Sequence, residues 1–146
     1  MFSQTVEYAL RAVVHLADRA PAARTTDQIA AATLVPKAYL SKVLQGLVRA
    51  KLVRSQRGLG GGITLAREPA AITILEIVNA VEPIVRIRRC PLGRPGHGTQ
   101  LCPLHRRLDS ALAMVEEAFG GTTLAELLTG PAKSSPLCEV RVRRRT

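Results

Sequence analysis

The chain has 146 residues and a formal net charge of +10, and aromatic residues make up only 3% of it. This length allows one small domain with an extension, and the composition predicts a core of Ala, Leu, Val and Ile. The charge predicts a polyanionic partner, with nucleic acid favoured over an anionic membrane surface. No apolar run approaches the ~18 to 20 residues of a membrane span, and no signal-peptide pattern occurs. We therefore expect a soluble, cytoplasmic protein without membrane insertion.

The chain contains three cysteines, at positions 90, 102 and 138. An odd number in a chain without a secretion signal argues against a disulfide scaffold. Reactive thiols or metal ligands are therefore the uses to test.

The first predicted helix runs from Gln4 to about Arg19, because apolar residues recur there at helical spacing. Glu7, Arg11 and His15 form a second stripe at i, i+4 and i+8. Glu7 and Arg11 are expected to form an exposed ion pair worth roughly a few tenths of a kcal/mol. The stripe is thereby predicted to face solvent.

Two short helices are predicted between Thr25 and Ala50. Thr25 or Thr26 is placed to cap the first of them, and Pro36 suits the first position of the second. Apolar residues at helical spacing then define a buried face of the second helix: Leu40, Val43, Leu44, Leu47 and Val48.

The opposite face of this second helix is polar and carries no acidic residue. Its members are Lys37, Ser41, Lys42, Gln45 and Arg49. Each of them can donate to phosphates or base edges, which is typical of a DNA-recognition helix. A solvated cationic surface is the alternative interpretation of such a face taken alone.

A basic, glycine-rich hairpin is predicted next, with strands at residues 52–55 and 62–65. Glycines permit the positive φ angles of a tight turn and let the backbone approach a surface, so Arg57 and Gly60 are predicted contact positions. The sequence GLGGG is not a nucleotide-phosphate loop, because it lacks the GK[ST] ending and precedes a strand. Helix, helix and basic hairpin in this order predict a winged helix-turn-helix.

The C-terminal half has two further helical patterns around an irregular loop. The first pattern should end near Glu82, because Pro83 follows it. From Pro83 to Leu101 the apolar periodicity is lost, and loops of this length tend to be functional or disordered. Periodicity returns at Cys102 and continues to Gly120 as a long apolar stripe that needs a partner. A homodimer supplies that partner and presents two recognition helices to a palindromic operator in double-stranded DNA.

The predicted fold is mainly α with a small β-wing, a winged helix-turn-helix plus a long C-terminal dimerisation helix. We divide the chain into a DNA-binding domain (1–82), a cysteine-containing sensor loop (83–101), the dimerisation helix with a short terminal helix (102–130) and a disordered basic tail (131–146). The tail either adds nonspecific DNA affinity or only solubilises the chain.

Several motifs together resemble the IscR/NsrR family of bacterial winged-helix transcriptional regulators. They are EYALRAVVHLA in the first helix, YLSKVLQGL in the recognition helix, RGLGGG in the wing, and the long helix after a cysteine loop. The resemblance covers roughly residues 1–128. It implies a dimeric DNA-binding protein, and many family members are repressors. It also implies that Tyr39, Ser41 and Lys42 face the major groove and that Arg57 reaches the minor groove.

Several family members carry an iron-sulfur cluster in the loop before the long helix. The resemblance matches Cys90, Cys102 and His105 to the first cysteine, the last cysteine and the following histidine of that loop. Cluster-binding members have a further cysteine near the loop centre, where this chain has Arg-Pro-Gly-His-Gly. With His97 from that stretch, and Glu7 at an acidic position that some relatives use as a ligand, a two-iron two-sulfur cluster is feasible. A zinc site, a redox thiol pair and an empty loop remain open.

Functions of other classes find less support in the sequence. No nucleophile and base occur at a spacing that predicts catalysis, so we expect no enzyme. A basic RNA-binding or adaptor module is compatible with the charge, but common RNA modules display aromatic residues that this chain almost lacks. The expected function is a DNA-binding regulator, a repressor, tuned by a cluster or by redox-sensitive cysteines.

Overall fold

The computed structural model describes residues 2–93 and 100–129, so the centre of the predicted sensor loop and the basic tail lie outside the described residues. The helices and strands occur in the order α1 (Gln4–Arg19), α2 (Thr26–Thr33), α3 (Lys37–Arg49), β1 (Val53–Gln56), β2 (Gly62–Leu65), α4 (Ile74–Val81), α5 (Pro103–Gly120) and α6 (Leu124–Leu128), with one 3-10 turn at Pro69–Ala71. Over these described residues the chain is mainly helical with one two-stranded antiparallel sheet, which confirms the predicted fold class.

Three of the helices begin with the same reciprocal cap. Thr25, Thr73 and Thr123 each accept a hydrogen bond from the backbone N–H three residues later. The side chain at that third position, Gln or Glu, accepts the threonine's own backbone N–H in return. This arrangement satisfies two otherwise unpaired donors and fixes the start of α2, α4 and α6.

The core forms around α1, which contacts α2, α3, α4, α6 and the strand β2. Ala9 and Ala12 are fully buried, and their small side chains let the neighbouring helices approach closely. Among the described residues the core cluster consists only of Val, Ala, Leu and Ile, as the composition predicted. Val48 departs from the predicted buried face, because its side chain is 40% exposed.

The helix α3 begins one residue later than predicted. Pro36 occupies the N-cap position, where its carbonyl accepts the N–H of Leu40 at 3.0 Å. The chain enters this helix through Leu34, whose positive φ of 57° ends α2. A short turn therefore joins the two helices of the helix-turn-helix.

The wing is a hairpin whose register pairs Val53 with Leu65 and Gln56 with Gly62. The strand β1 spans 53–56 rather than the predicted 52–55. Arg24 fastens the wing to the start of α2, because it exchanges two backbone hydrogen bonds with Ile63, of 3.0 and 2.7 Å. A side chain at Gly62 would place its Cβ 2.8 Å from the Arg24 carbonyl oxygen, so this junction requires glycine.

The C-terminal helices α5 and α6 return to the domain after residues 83–102, here called the cysteine segment because they include Cys90 and Cys102. Leu124 is fully buried, and its backbone N–H donates to Ile72 at 2.8 Å, which joins the start of α6 to the segment before α4. In contrast, none of the 18 residues of α5 is buried. Leu104, Leu108 and Met114 expose their side chains to solvent.

Within the described ranges, no helix is both long enough and apolar enough to cross a membrane.

Candidate nucleic-acid interface and cysteine segment

The outward face of α3 is open to a ligand. Lys42 and Gln45 are exposed, and the helix contains no acidic residue. Ser41 is half-buried and donates its hydroxyl to the Lys37 carbonyl at 3.1 Å. Among the described residues Lys42 forms no ion pair, so its charge is free to meet a phosphate or a base edge.

Lys37, at the start of α3, already has an anionic neighbour. Its ammonium lies 2.7 Å from a carboxylate oxygen of Asp27, and both side chains are exposed. An ion pair this exposed contributes about 0 to 1 kcal/mol. A DNA phosphate can therefore replace Asp27 at small cost.

Tyr39 stands at the N-terminal end of the recognition face and is 62% exposed. Its ring packs against Tyr8 of α1 at a centroid distance of 6.2 Å. The Arg11 guanidinium lies 5.9 Å from the Tyr8 ring centroid and donates to Glu7 at 3.0 Å, which is the predicted ion pair. Arg11 also donates to the Thr33 carbonyl at the end of α2. A continuous set of contacts thus joins Glu7 to the recognition face.

The tip of the wing is exposed backbone with two predicted contact positions. Arg57 and Gly60 are both exposed, and Gly60 has a φ of 73°. Leu59 between them is fully exposed, and a Cβ at Gly58 or Gly60 would meet no other atom within 4 Å. The tip is therefore free to approach a surface.

The cysteine segment brings two of the predicted ligands together. Cys102 is the N-cap residue of α5, and its Sγ lies 3.1 Å from Nδ1 of His105 in the first turn. Cys90 is a half-buried free thiol, whereas His97 lies outside the described residues. In the ranges that the structure covers, no group of three or more His, Cys, Asp and Glu side chains is arranged to hold a metal.

Glu7 of the same chain lies far from this pair. It lines a groove together with Ala118 and Phe119, near the C-terminal end of α5, whereas Cys102 is at the N-terminal end. The 16 residue-to-residue steps from 102 to 118 span about 24 Å at 1.5 Å per step. Glu7 can therefore join Cys102 in one site only if it comes from a second copy of the chain. The described residues of one chain do not fit a complete cluster, which needs four ligands.

An ion-pair clamp holds the cysteine segment on α5. Arg86 donates to both carboxylate oxygens of Asp109 at 2.7 Å each and to Glu116 at 3.1 Å. The Ile87 backbone N–H donates to Asp109 as well, at 2.9 Å. The hydrogen bonds from Arg86 are the main reason that the pKa of Asp109 falls to about 2, and the same bonds raise the pKa of Arg86.

Asp109 and Glu116 are not among the site residues predicted from the sequence. The available signal was their spacing of seven residues, which places two acids on one face of a helix that follows an arginine-rich loop.

Two short helices, an exposed cationic recognition face and a glycine-rich basic hairpin define the winged helix-turn-helix class of DNA-binding proteins. Comparison with known proteins supports this class and identifies one family within it. The family model Rrf2, described as an iron-dependent transcriptional regulator, matches residues 2–130. The chain belongs to the Rrf2 family of transcriptional regulators, which are DNA-binding proteins and not enzymes, as predicted.

Individual relatives support the predicted resemblance. The HTH-type transcriptional regulator NsrR of Geobacillus kaustophilus is 32% identical over 141 residues, covering 92% of this chain and 94% of that protein. The structure of CymR, the global cysteine regulator of B. subtilis, matches with a TM-score of 0.71 at 28% identity, covering 87% of this chain and 95% of that one. The structure of IscR from T. potens matches with a TM-score of 0.72 at 25% identity, covering 88% and 85%. The predicted IscR/NsrR resemblance is confirmed.

Proposed function

We propose that the protein is a sequence-specific repressor that binds a palindromic operator as a homodimer. The observation that carries the proposal is the acid-free face of α3 beside an open, basic wing. In this proposal Tyr39, Ser41, Lys42 and Gln45 face the major groove, and Lys37 contacts a phosphate. Arg57 enters the adjacent minor groove, where Gly60 lets the backbone approach closely.

The proposed dimer interface is the exposed apolar side of α5, with Leu104, Leu108 and Met114. Three large apolar side chains on a helix that buries none of its residues support a contact with a second copy. In this proposal the two-fold axis of the dimer relates the two recognition helices to each other, as a palindromic operator requires.

We also propose that the cysteine segment tunes operator affinity. The contact between Cys102 and His105 supports either shared metal ligation or thiol chemistry at the start of the dimer helix. A two-iron two-sulfur cluster would need Cys90 and a further ligand, either His97 or Glu7 of the partner subunit. A zinc site with the same ligands is the second candidate.

Selection of operators from random duplex DNA tests the DNA-binding proposal. Gln45→Ala should cost about 1 to 3 kcal/mol of discrimination between the selected operator and scrambled duplex, because a base-edge contact is lost. Lys37→Ala should weaken binding to both duplexes and lower the salt dependence. Arg107→Ala, an exposed arginine of α5, is the control for loss of charge. Equal affinity of the wild type for double-stranded DNA and for RNA of the same sequence would contradict the proposal.

Metal analysis tests the sensor. Iron, sulfide and zinc are measured in protein purified without oxygen, for the wild type, Cys90→Ser and Cys102→Ser. The proposal expects a metal or an oxidisable thiol whose loss changes operator affinity, and Ser110→Ala on the same helix is the control. Operator affinity that is identical in all variants, with and without oxidant, would exclude a sensory role for this segment.

A further inference from the structure

The wing is attached to the rest of the domain through the segment that joins α1 to α2. Arg24 of this segment exchanges two backbone hydrogen bonds with Ile63 of β2, of 3.0 and 2.7 Å. The two backbones also approach closely, since a Cβ at Gly62 would lie 2.8 Å from the Arg24 carbonyl oxygen. A displacement of Arg24 would therefore move β2 or break both hydrogen bonds.

Two buried side-chain nitrogens without a hydrogen-bond partner among the described residues occur at this attachment. They are Nε2 of His15, on α1, and Nε of Arg24 itself. His15 is buried, and it is close enough to Arg24 for the Arg24 charge to lower its pKa. Arg24 thus holds the wing with its backbone and carries a guanidinium beside an ionisable group of the core.

The surroundings of His15 disfavour a positive charge. Burial lowers its pKa most, the charges of Arg24 and Arg19 lower it further, and Asp18 raises it by less. The other elements that contact α1 are α2, α3, α4, α6 and β2, and none of their described residues adds a charge that shifts this pKa clearly. A protonated imidazole would be buried beside two guanidinium groups, with one carboxylate to offset them.

Movement of Arg24 is the readiest relief for a protonated His15. His15 lies within the helix α1, whereas Arg24 lies in the irregular segment 20–25 between two helices. Movement of the Arg24 guanidinium towards solvent would separate the two cations and let water reach the imidazole. Because the Arg24 backbone carries both hydrogen bonds to Ile63, this movement would loosen the wing.

We propose that His15 is a proton-sensitive switch for the wing. Neutral His15 lets Arg24 hold β2, and protonated His15 releases the wing and lowers affinity for the operator. This inference rests on the proposed function, because the position of the wing affects affinity only if the wing contacts DNA. Operator affinity should be complete above the ordinary histidine pKa of about 6.5 and should fall as the pH decreases through the lower folded pKa.

The first test compares affinity for a selected operator at about pH 7.5 and about pH 5. The wild type should bind roughly fivefold or more weakly at the lower pH. His15→Gln should show a smaller change, because its amide is polar but does not take up a proton. Asp18→Asn should move the loss of affinity to lower pH, since the carboxylate that favours the imidazolium is removed. Glu117→Gln, which changes an exposed acid of α5, is the matched control and should leave the pH profile unchanged.

The second test follows amide hydrogen exchange of the wild type, so it does not depend on the folding of a variant. The protection factors of Arg24 and Ile63, which correct for the intrinsic effect of pH, should fall between about pH 7.5 and about pH 5. The amide of Leu40 in α3, which donates to the Pro36 carbonyl at 3.0 Å, should stay protected. This pattern would indicate release of the wing from a folded domain.

Three results would overturn the inference. They are wild-type affinity that is equal at both pH values, a pH profile of His15→Gln identical to that of the wild type, and loss of protection at Ile63 and Leu40 together, which indicates global unfolding. In each of them the wild type still prefers its operator over scrambled duplex at the higher pH. A wild type without that preference would instead be a failure of the proposed function, so the two failures are distinguishable.

Discussion

His15 is one of the two residues in the described part of the chain with a buried side-chain nitrogen that has no hydrogen-bond partner, and Arg24 is the other. His15 is 4% exposed, and its Nε2 has no hydrogen bond among the described residues. Burial lowers its pKa below 6.5, and the nearby charges of Arg24 and Arg19 lower it further, against a smaller opposite effect of Asp18. The predicted solvent exposure of His15 is wrong because eight residues of helix turn it about 80° away from Glu7.

This burial predicts a pH dependence of folding. The unfolded chain titrates near 6.5 and the folded chain lower, so the folded state favours neutral imidazole. The stabilising contribution of neutral His15 is fully present above the unfolded pKa of about 6.5, and it is lost as the pH falls through the lower folded pKa. We expect the urea concentration at the unfolding midpoint of the wild type to decrease when the pH is lowered from about 7.5 to about 5. The midpoint of His15→Leu should change less over the same range. Parallel pH profiles for the two proteins would contradict this assignment.

At the scale of the elements, the ion pairs of Arg86 with Asp109 and Glu116 attach the start of the cysteine segment to α5. Asp109 has a folded pKa of about 2, below its ordinary value of 3.8. The stability from its ionised form is therefore present above about 3.8 and is lost as the pH falls through about 2. Near neutral pH the clamp is intact.

Removing the clamp should loosen the segment locally. In Arg86→Gln, amide hydrogen exchange at Ile87 should accelerate, because the acceptor Asp109 is no longer held in place. Exchange in α1 and α3 should stay unchanged. Arg88→Gln, an exposed arginine of the same segment, is the control and should leave Ile87 protected. Equal protection of Ile87 in the two variants would show that the clamp does not order the segment.

The boundaries of most elements follow from local sequence signals. Thr25 caps α2 as the sequence predicted, because a threonine followed by Gln three residues later satisfies the first backbone donors. Val48 was placed on the wrong side for the same reason as His15, since eight residues after Leu40 the helix has turned about 80°. The ion pair between Arg86 and Asp109 could not be predicted from local sequence, because the two residues are 23 positions apart and only the fold brings them together. The distance between Glu7 and Cys102 also depends on the direction in which α5 runs, and no local sequence pattern specifies that direction.

At the scale of the whole molecule, α5 is the longest helix among the described residues and contains no buried residue, although it contacts α4. Its exposed leucines predict self-association, so Leu108→Glu should shift the sedimentation coefficient from dimer towards monomer at micromolar concentration. Val85→Glu, which changes an exposed apolar residue outside α5, is the matched control and should remain dimeric. A wild type that sediments as a monomer would contradict the proposed dimer.

Dimethyl sulfate interference on a selected operator tests the central claim most directly, because methylation at guanine N7 blocks the major groove and methylation at adenine N3 blocks the minor groove. The account predicts N7 interference where α3 lies and N3 interference beside it where the wing lies. Both patterns should repeat by two-fold symmetry, with half-site centres about 10 base pairs, or a multiple of that, apart. Interference confined to one groove, or a single site without symmetry, would contradict it.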